Sequence, residues 1–163
     1  MLHEVSGDIL LTKAQAIAHG IAPNEAFDSG LALALREQHP SMAKDYRHYA
    51  HQTHPKSGEM WVWSGAGGVR IINLLTQEGD FDSHGKPGVA TLHNVNHALR
   101  RLRHFVEQEK IASLALPRLA TGVGKLEWSE VKPLIEKTLG DLGIPVYVYT
   151  TYHAGQAASE PGA

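Results

Sequence analysis

The segment Leu116-Pro117-Arg118-Leu119-Ala120-Thr121-Gly122-Val123-Gly124-Lys125-Leu126-Glu127-Trp128 joins an apolar run to a helix-like pattern through a loop of small residues. A strand that feeds such a loop into a helix presents backbone N–H groups without internal partners, beside the positive end of a helix dipole. That chemistry holds a phosphate. The loop matches neither G-x-x-x-x-G-K-[ST] nor, for want of a third glycine, G-x-G-x-x-G. A plain strand-to-helix turn draws on the same residue types. A second loop of this kind, Ala22 to Gly30, leads from an apolar segment into a helical pattern at Leu31. Two N–H-rich loops facing one crevice suit two adjacent phosphates. Asp8, at a third strand end, offers a carboxylate to the exocyclic amine of a base. The pattern points to a dinucleotide-like or nucleoside-diphosphate ligand.

The elements that must position these loops alternate between strand and helix. His3–Val5, Ala16–His19, Glu59–Trp63, Val69–Leu75, Ser113–Leu116 and Val146–Thr150 read as strands from their apolar and β-branched content. Leu31–Gln38, Met42–His51, Val89–Glu109 and Trp128–Leu139 read as helices, with Ser41 as the expected N-cap after the Pro40 break. Strands followed by helices predict an α/β fold with a mixed or mainly parallel sheet covered on both faces. In such sheets ligands sit beyond the carboxyl ends of the strands. Residues 1–152 are expected to form one domain, and His153–Ala163 a frayed, disordered tail.

With 163 residues, 42% hydrophobic and 20% charged, the chain suits one soluble domain with a real core. A formal net charge of −2 gives no global field for nucleic acid or an anionic membrane. Cysteine is absent, which excludes disulfides and thiolate metal sites. No apolar run reaches the ~20 residues needed to cross a bilayer, and Met1–Val5 lacks a leader's basic and apolar regions, so a cytoplasmic protein is expected. Eleven histidines are many for this length. His48, His51 and His54, and His93 and His97, have helical spacing, but no third ligand accompanies the latter pair, and both sets read as solvated surface. No metal or cofactor is expected. Arg100, Arg101, Arg103 and His104 read as an exposed face beside the stripe Val95, Leu99, Leu102 and Val106.

Four pieces in order resemble the macro domain, an ADP-ribose-binding module with a three-layer α/β/α fold around a mixed central sheet. They are Gly7-Asp8-Ile9, Ala18-His19-Gly20 through Asp28-Ser29-Gly30-Leu31-Ala32, Asn73-Leu74-Leu75-Thr76-Gln77, and Leu116-Pro117-Arg118 through Trp128. Leu126-Glu127-Trp128 is similar to the branch that includes the terminal ADP-ribose glycohydrolase and the antitoxins that remove ADP-ribose from thymidine in DNA. The resemblance implies that Asp8 binds the adenine amine, with the Ile9 backbone beside it. Ser29, Gly30 and Leu31 would line the first phosphate and distal ribose, and Ala120, Thr121, Gly122, Val123 and Gly124 would wrap the diphosphate. Tyr152 would flank the adenine, and Asp28 would lie near the distal ribose unless it serves as a helix cap. His19 and Asn24 fit a His-x-x-x-x-Asn arrangement of related ADP-ribose-1″-phosphate phosphatases.

Two positions depart from that branch. Its lysine after the middle strand aligns with Gln77, and its loop aspartate with Gly124, so no lysine is present there to form a Schiff base. Lys125 and Lys86 are near in sequence only. Gln77 is neither acid nor base at neutral pH, but its amide can orient a water, or simply cap a strand end. Diphosphate oxygens of the substrate, His19, Asp80 or Asp82 would then take the water's proton. His19, on an apolar strand, also reads as a core histidine. The implied activity is hydrolysis of ADP-ribose from acidic side chains of proteins, and from thymidine in DNA. A non-catalytic reader of ADP-ribose and the phosphatase are the alternatives.

Overall fold

A computed structural model describes residues 1–79 and 87–162. The strands are β1 (Leu2–Gly7), β2 (Ala16–Ile21), β3 (Met60–Ser64), β4 (Arg70–Leu75), β5 (Leu114–Pro117) and β6 (Val146–Tyr152). The helices are α1 (Gly30–Gln38), α2 (Pro40–Thr53), α3 (Leu92–Gln108) and α4 (Trp128–Leu139). The six strands form one sheet in the order β1-β6-β5-β2-β4-β3. Only β3 runs antiparallel, against β4. The mixed sheet with four helices is the three-layer architecture expected from the chain.

Successive strand residues face opposite sides, so the parallel strands must be apolar on both. Ala16, Ala18, Ile72, Leu74, Leu114, Leu116, Val146 and Val148 pack with the α3 residues Val95, Leu99, Leu102 and Val106 and with α4. Ile17, Ile21, Ile71, Leu75, Ala115, Tyr147 and Tyr149 pack on the other side with Leu35 of α1 and Met42, Tyr46 and Ala50 of α2. The even and odd positions of each strand therefore feed two separate cores.

Three local expectations need correction. Ser41 does not cap α2: the cap position is His39, and Pro40 takes the first helical position, where its missing N–H costs nothing and its ring pre-sets φ. The helix expected from Val89 begins only at Leu92, because Thr91 accepts the Asn94 N–H. Ala90 stays extended, bridging Gln77 and donating to the Gly124 carbonyl. Finally, residues 153–162 have no regular secondary structure, yet they are not a frayed tail. His153 N–H donates to Gly7, Asp8 N–H to Gln156, and Gly155 N–H to the Asp8 carboxylate. The Glu160 carboxylate accepts from the Lys13 N–H and the Thr12 and Tyr149 hydroxyls, and the Tyr147 hydroxyl donates to Pro161.

Arg103, expected on an exposed basic face, is engaged: it donates to the Thr138 carbonyl and pairs with Glu107 and Asp141. His97 Nδ1 lies 2.7 Å from the Gly58 carbonyl oxygen. Among the described residues no helix is long and apolar enough to cross a membrane, and no three His, Asp or Glu side chains gather as metal ligands. Asp80, Asp82 and Lys86 lie outside the described residues.

Candidate functional site

The carboxyl ends of β2, β4 and β5 open on one crevice of about 490 Å³. Its walls are the β2–α1 loop, the end of β4, and the β5–α4 loop. Of the residues singled out from sequence, His19, Asp28, Ser29, Gly30, Leu31, Gln77, Ala120, Gly122, Val123 and Gly124 line it. Asp8, Ile9, Asn24, Thr121 and Tyr152 do not.

The β2–α1 loop is pinned from below. Phe27 is buried, with its ring edge-on to Tyr46 at 5.7 Å and its centroid 6.5 Å from His19. Glu25 braces the backbone, one carboxylate oxygen accepting the Ala22 N–H and the other the Phe27 N–H. Burial pushes the Glu25 carboxyl above its ordinary value, with Asp28 adding to the rise. The chain then enters α1 at Ser29, whose side chain makes no cap. Among the described residues the amides of Gly30, Leu31 and Ala32 accordingly have no partner.

The β5–α4 loop is folded on itself. Leu126 N–H donates to the Ala120 carbonyl at 2.9 Å and Lys125 N–H to Gly122 at 3.1 Å. Ala120 and Lys125 hold left-handed backbones, φ 65° and 63°, a conformation L-residues adopt at a cost. Gly124 is required here, since a Cβ would lie 2.5 Å from the Ala120 carbonyl oxygen. Gly122 is different: a Cβ there meets nothing within 4 Å, so the position opens outward. Among the described residues the amides of Thr121, Gly122, Val123 and Gly124 donate to no protein group. Thr121 turns its hydroxyl back to the Arg118 carbonyl.

Helix-start and loop N–H groups left without protein acceptors can bind an anion, and two such sets line this crevice. Arg118 adds a full positive charge to the crevice wall, its guanidinium 5.7 Å from the centre of the Trp128 ring. An arginine between a strand end and a glycine loop is legible in the sequence as a cation beside that loop. Glu25 and Thr76 also line the crevice. Nothing in their spacing announces them.

Gln77 sits at the junction of the two walls. Its backbone N–H donates to the Ile21 carbonyl, it forms an isolated antiparallel bridge with Ala90, and the Ala90 N–H donates to the Gly124 carbonyl. Its side-chain amide donates to the Gly88 carbonyl at 3.0 Å. That bond fixes the side chain's orientation within the crevice.

His19 is 2% exposed, and its Nε2 lies 2.6 Å from Asn73 Oδ1. Since Oδ1 can only accept, Nε2 carries the proton and Nδ1 is left as an acceptor. Burial lowers the imidazole to about 4, so the ring is neutral at pH 7. His19 and Asn24 line different cavities. Asn24 lines a second cavity on the far side of the loop, its amide against Gly79.

Asp8 is buried outside the crevice lining. One carboxylate oxygen accepts the Leu10 N–H at 3.0 Å and the other the Gly155 N–H at 2.9 Å. Tyr152 is 65% exposed at the end of β6.

No protein-family profile matches the chain. It is 24% identical over 160 residues to a DNA ADP-ribosyl transferase–DNA ADP-ribosyl glycohydrolase fusion protein of Thermosipho africanus, covering 89% of this chain and 40% of that protein. It is 26% identical over 147 residues to the human ADP-ribose glycohydrolase OARD1, covering 90% of this chain and 89% of the relative. The chain thus spans less than half the fusion protein but nearly all of OARD1. The macrodomain of Thermus aquaticus DarG superposes with a TM-score of 0.80 at 25% identity, over 92% of this chain and 98% of that one. The four sequence pieces in order, the three-layer sheet and these likenesses agree: the chain has the macro-domain fold and is similar to the branch that holds DarG and OARD1.

Proposed function

We propose that the chain is an ADP-ribosyl hydrolase that frees ADP-ribose from acidic side chains of proteins or from thymidine in DNA. The observation that carries this reading is the pair of facing loops with idle amides, at 30–32 and 121–124, in a crevice that also contains a fixed glutamine. The diphosphate is held by those amides with Arg118 beside them, which leaves the distal ribose near Asp28 and Gln77. Gln77 positions the attacking water. Its carbonyl oxygen accepts from the water, while its NH2 is committed to Gly88. The bond from the distal ribose C1″ to the side-chain or base atom breaks as the C1″–oxygen bond to water forms. The water's proton passes to a diphosphate oxygen, and the leaving group departs with the bonding pair.

His19 is a poor general base, because a group titrating near 4 binds a proton weakly at neutral pH. It serves as a neutral hydrogen-bond acceptor at the crevice floor. Without a strong base the reaction relies on positioning and on the electrophilicity of the substrate, and turnover is slow. Asp8 and Ile9 retain the adenine role through the carboxylate lone pairs that Leu10 and Gly155 leave open.

A reader of ADP-ribose without chemistry is favoured by one observation: Gln77 and Gly124 stand where related glycohydrolases are expected to carry a lysine and an aspartate. Incubation with glutamate-modified protein and with thymidine-modified oligonucleotide separates the readings. Release of free ADP-ribose from either substrate supports the hydrolase, and tight binding with no release from both leaves the reader.

A further inference from the structure

Beside the ADP-ribose crevice lies a second cavity of about 570 Å³, formed where α1 and α2 meet the outer side of the β2–α1 loop. Glu25 lines both cavities, so only the thickness of that loop separates them. Three cations ring the second one: Arg36 from α1, and Lys44 and Arg47 from α2. Lys44 and Arg47 are exposed and three residues apart, hence on one helix face. None of the three forms an ion pair among the described residues. The single link is a long 3.4 Å contact from Arg36 Nη1 to the Ala26 carbonyl. Glu25 is the acidic residue of the lining, and both its oxygens are already engaged by backbone N–H groups.

We infer that this cavity is a phosphodiester site that holds the nucleic-acid strand flanking a modified nucleotide in the crevice. The inference rests on the hydrolase reading above and selects its DNA arm. Arg36 lies six residues along α1 from the idle amides at its start, a rise of about 9 Å, within reach of a neighbouring nucleotide. An acidic protein side chain needs one cation. Three unpaired cations around a cleft large enough for a nucleotide match a repeated backbone charge, which Arg binds with a planar fork and Lys as a point charge. The chain's net charge of −2 hides this feature, because the three residues converge only when the two helices fold together.

The test compares the wild type with the triple variant Arg36→Ala/Lys44→Ala/Arg47→Ala. Free ADP-ribose, followed by calorimetry, is expected to bind both proteins equally. A short single-stranded thymidine oligonucleotide without modification, followed by fluorescence polarisation at low salt, is expected to bind the wild type and to lose tenfold or more in the variant. On the thymidine-modified oligonucleotide the KM is expected to rise, and the slope of log kcat/KM against log salt to flatten by about 2, near 0.7 per lost phosphate contact. Equal oligonucleotide affinity in the two proteins, or no oligonucleotide binding by the wild type, overturns the inference. So does a larger loss on a glutamate-modified peptide than on the oligonucleotide, which would make this a protein-docking cavity. Absence of turnover by the wild type on every substrate defeats the hydrolase reading, while the unmodified oligonucleotide still decides the cavity.

Discussion

The two ends of the proposed ligand site are built in opposite ways. At the phosphate end, two loops present amides that no described protein group accepts, and the α1 N-terminus lacks even a side-chain cap. At the Asp8 end every obvious partner is already supplied: the carboxylate takes the Leu10 and Gly155 N–H groups, and the Asp8 N–H reaches the Gln156 carbonyl. One end leaves its amides to solvent, and the other spends its polar groups on holding residues 153–162. On the proposed reading the first end is left open for a ligand. The second can hold its fold without one. Phosphate contacts should therefore dominate affinity, and base contacts should tune it.

The largest effect that tests this contrast is expected from Gly122→Glu. A Cβ at Gly122 meets nothing within 4 Å, so the variant should fold with an unchanged melting temperature. A carboxylate beside the diphosphate should weaken ADP-ribose by about a hundredfold or more in calorimetry. Retained affinity would mean that the loop does not hold the phosphates. Gln77→Ala comes next, with kcat falling about tenfold to a hundredfold and the Kd for ADP-ribose unaltered. An unchanged rate would remove the water-positioning role. Asp8→Asn should cost less than Gly122→Glu, about tenfold in ADP-ribose affinity. A larger loss than at Gly122 would invert the contrast between the two ends.

The buried imidazole predicts a pH effect on stability. His19 has a folded pKa of about 4 against 6.5 when unfolded. Between those values the unfolded chain binds a proton that the folded chain refuses, so stability falls as pH drops through that window. The full difference amounts to about 3 kcal/mol. Denaturant melts of the wild type and His19→Gln should diverge between pH 6.5 and 4, with the wild type losing more. Parallel curves would mean that His19 is hydrated in the fold. The smallest effect belongs to the C-terminal segment. Glu160→Ala removes its bonds to Thr12, Lys13 and Tyr149 and should lower the melting temperature by about 2–4 °C per kcal/mol lost, with ADP-ribose affinity unchanged. A fall in affinity instead would show that the segment shapes the adenine end.

Local chemistry was legible in the sequence where it is carried by neighbours along the chain. The strand-loop-helix grammar around Gly30 and Gly122 located both crevice walls, and the apolar stripe of α3 located one core. What escaped depends on long-range contact. Ser41 lost the cap of α2 because Pro40 already takes the first helical position, which leaves the cap to His39, two positions before Ser41. Ala90 left the expected helix because Gln77 and Gly124 hold it from elsewhere. His153–Gly162 looked featureless because it is small and polar, but its backbone finds Gly7 and Asp8 some 150 residues away, the His153–Gly7 bond spanning 3.1 Å. Asn24 lines the second cavity and not the crevice, a placement its spacing from His19 does not announce. Arg36, Lys44 and Arg47 are ordinary helix-surface residues until α1 and α2 pair.

Amide chemical shifts during an ADP-ribose titration test the central claim most directly, because the claim concerns individual N–H groups. The account predicts that the amides of residues 30–32 and 121–124 move together, saturate at one concentration, and move more than those of Asp8 and Gly155. Shifts confined to the Asp8 end, with both loops unmoved at saturation, would contradict it.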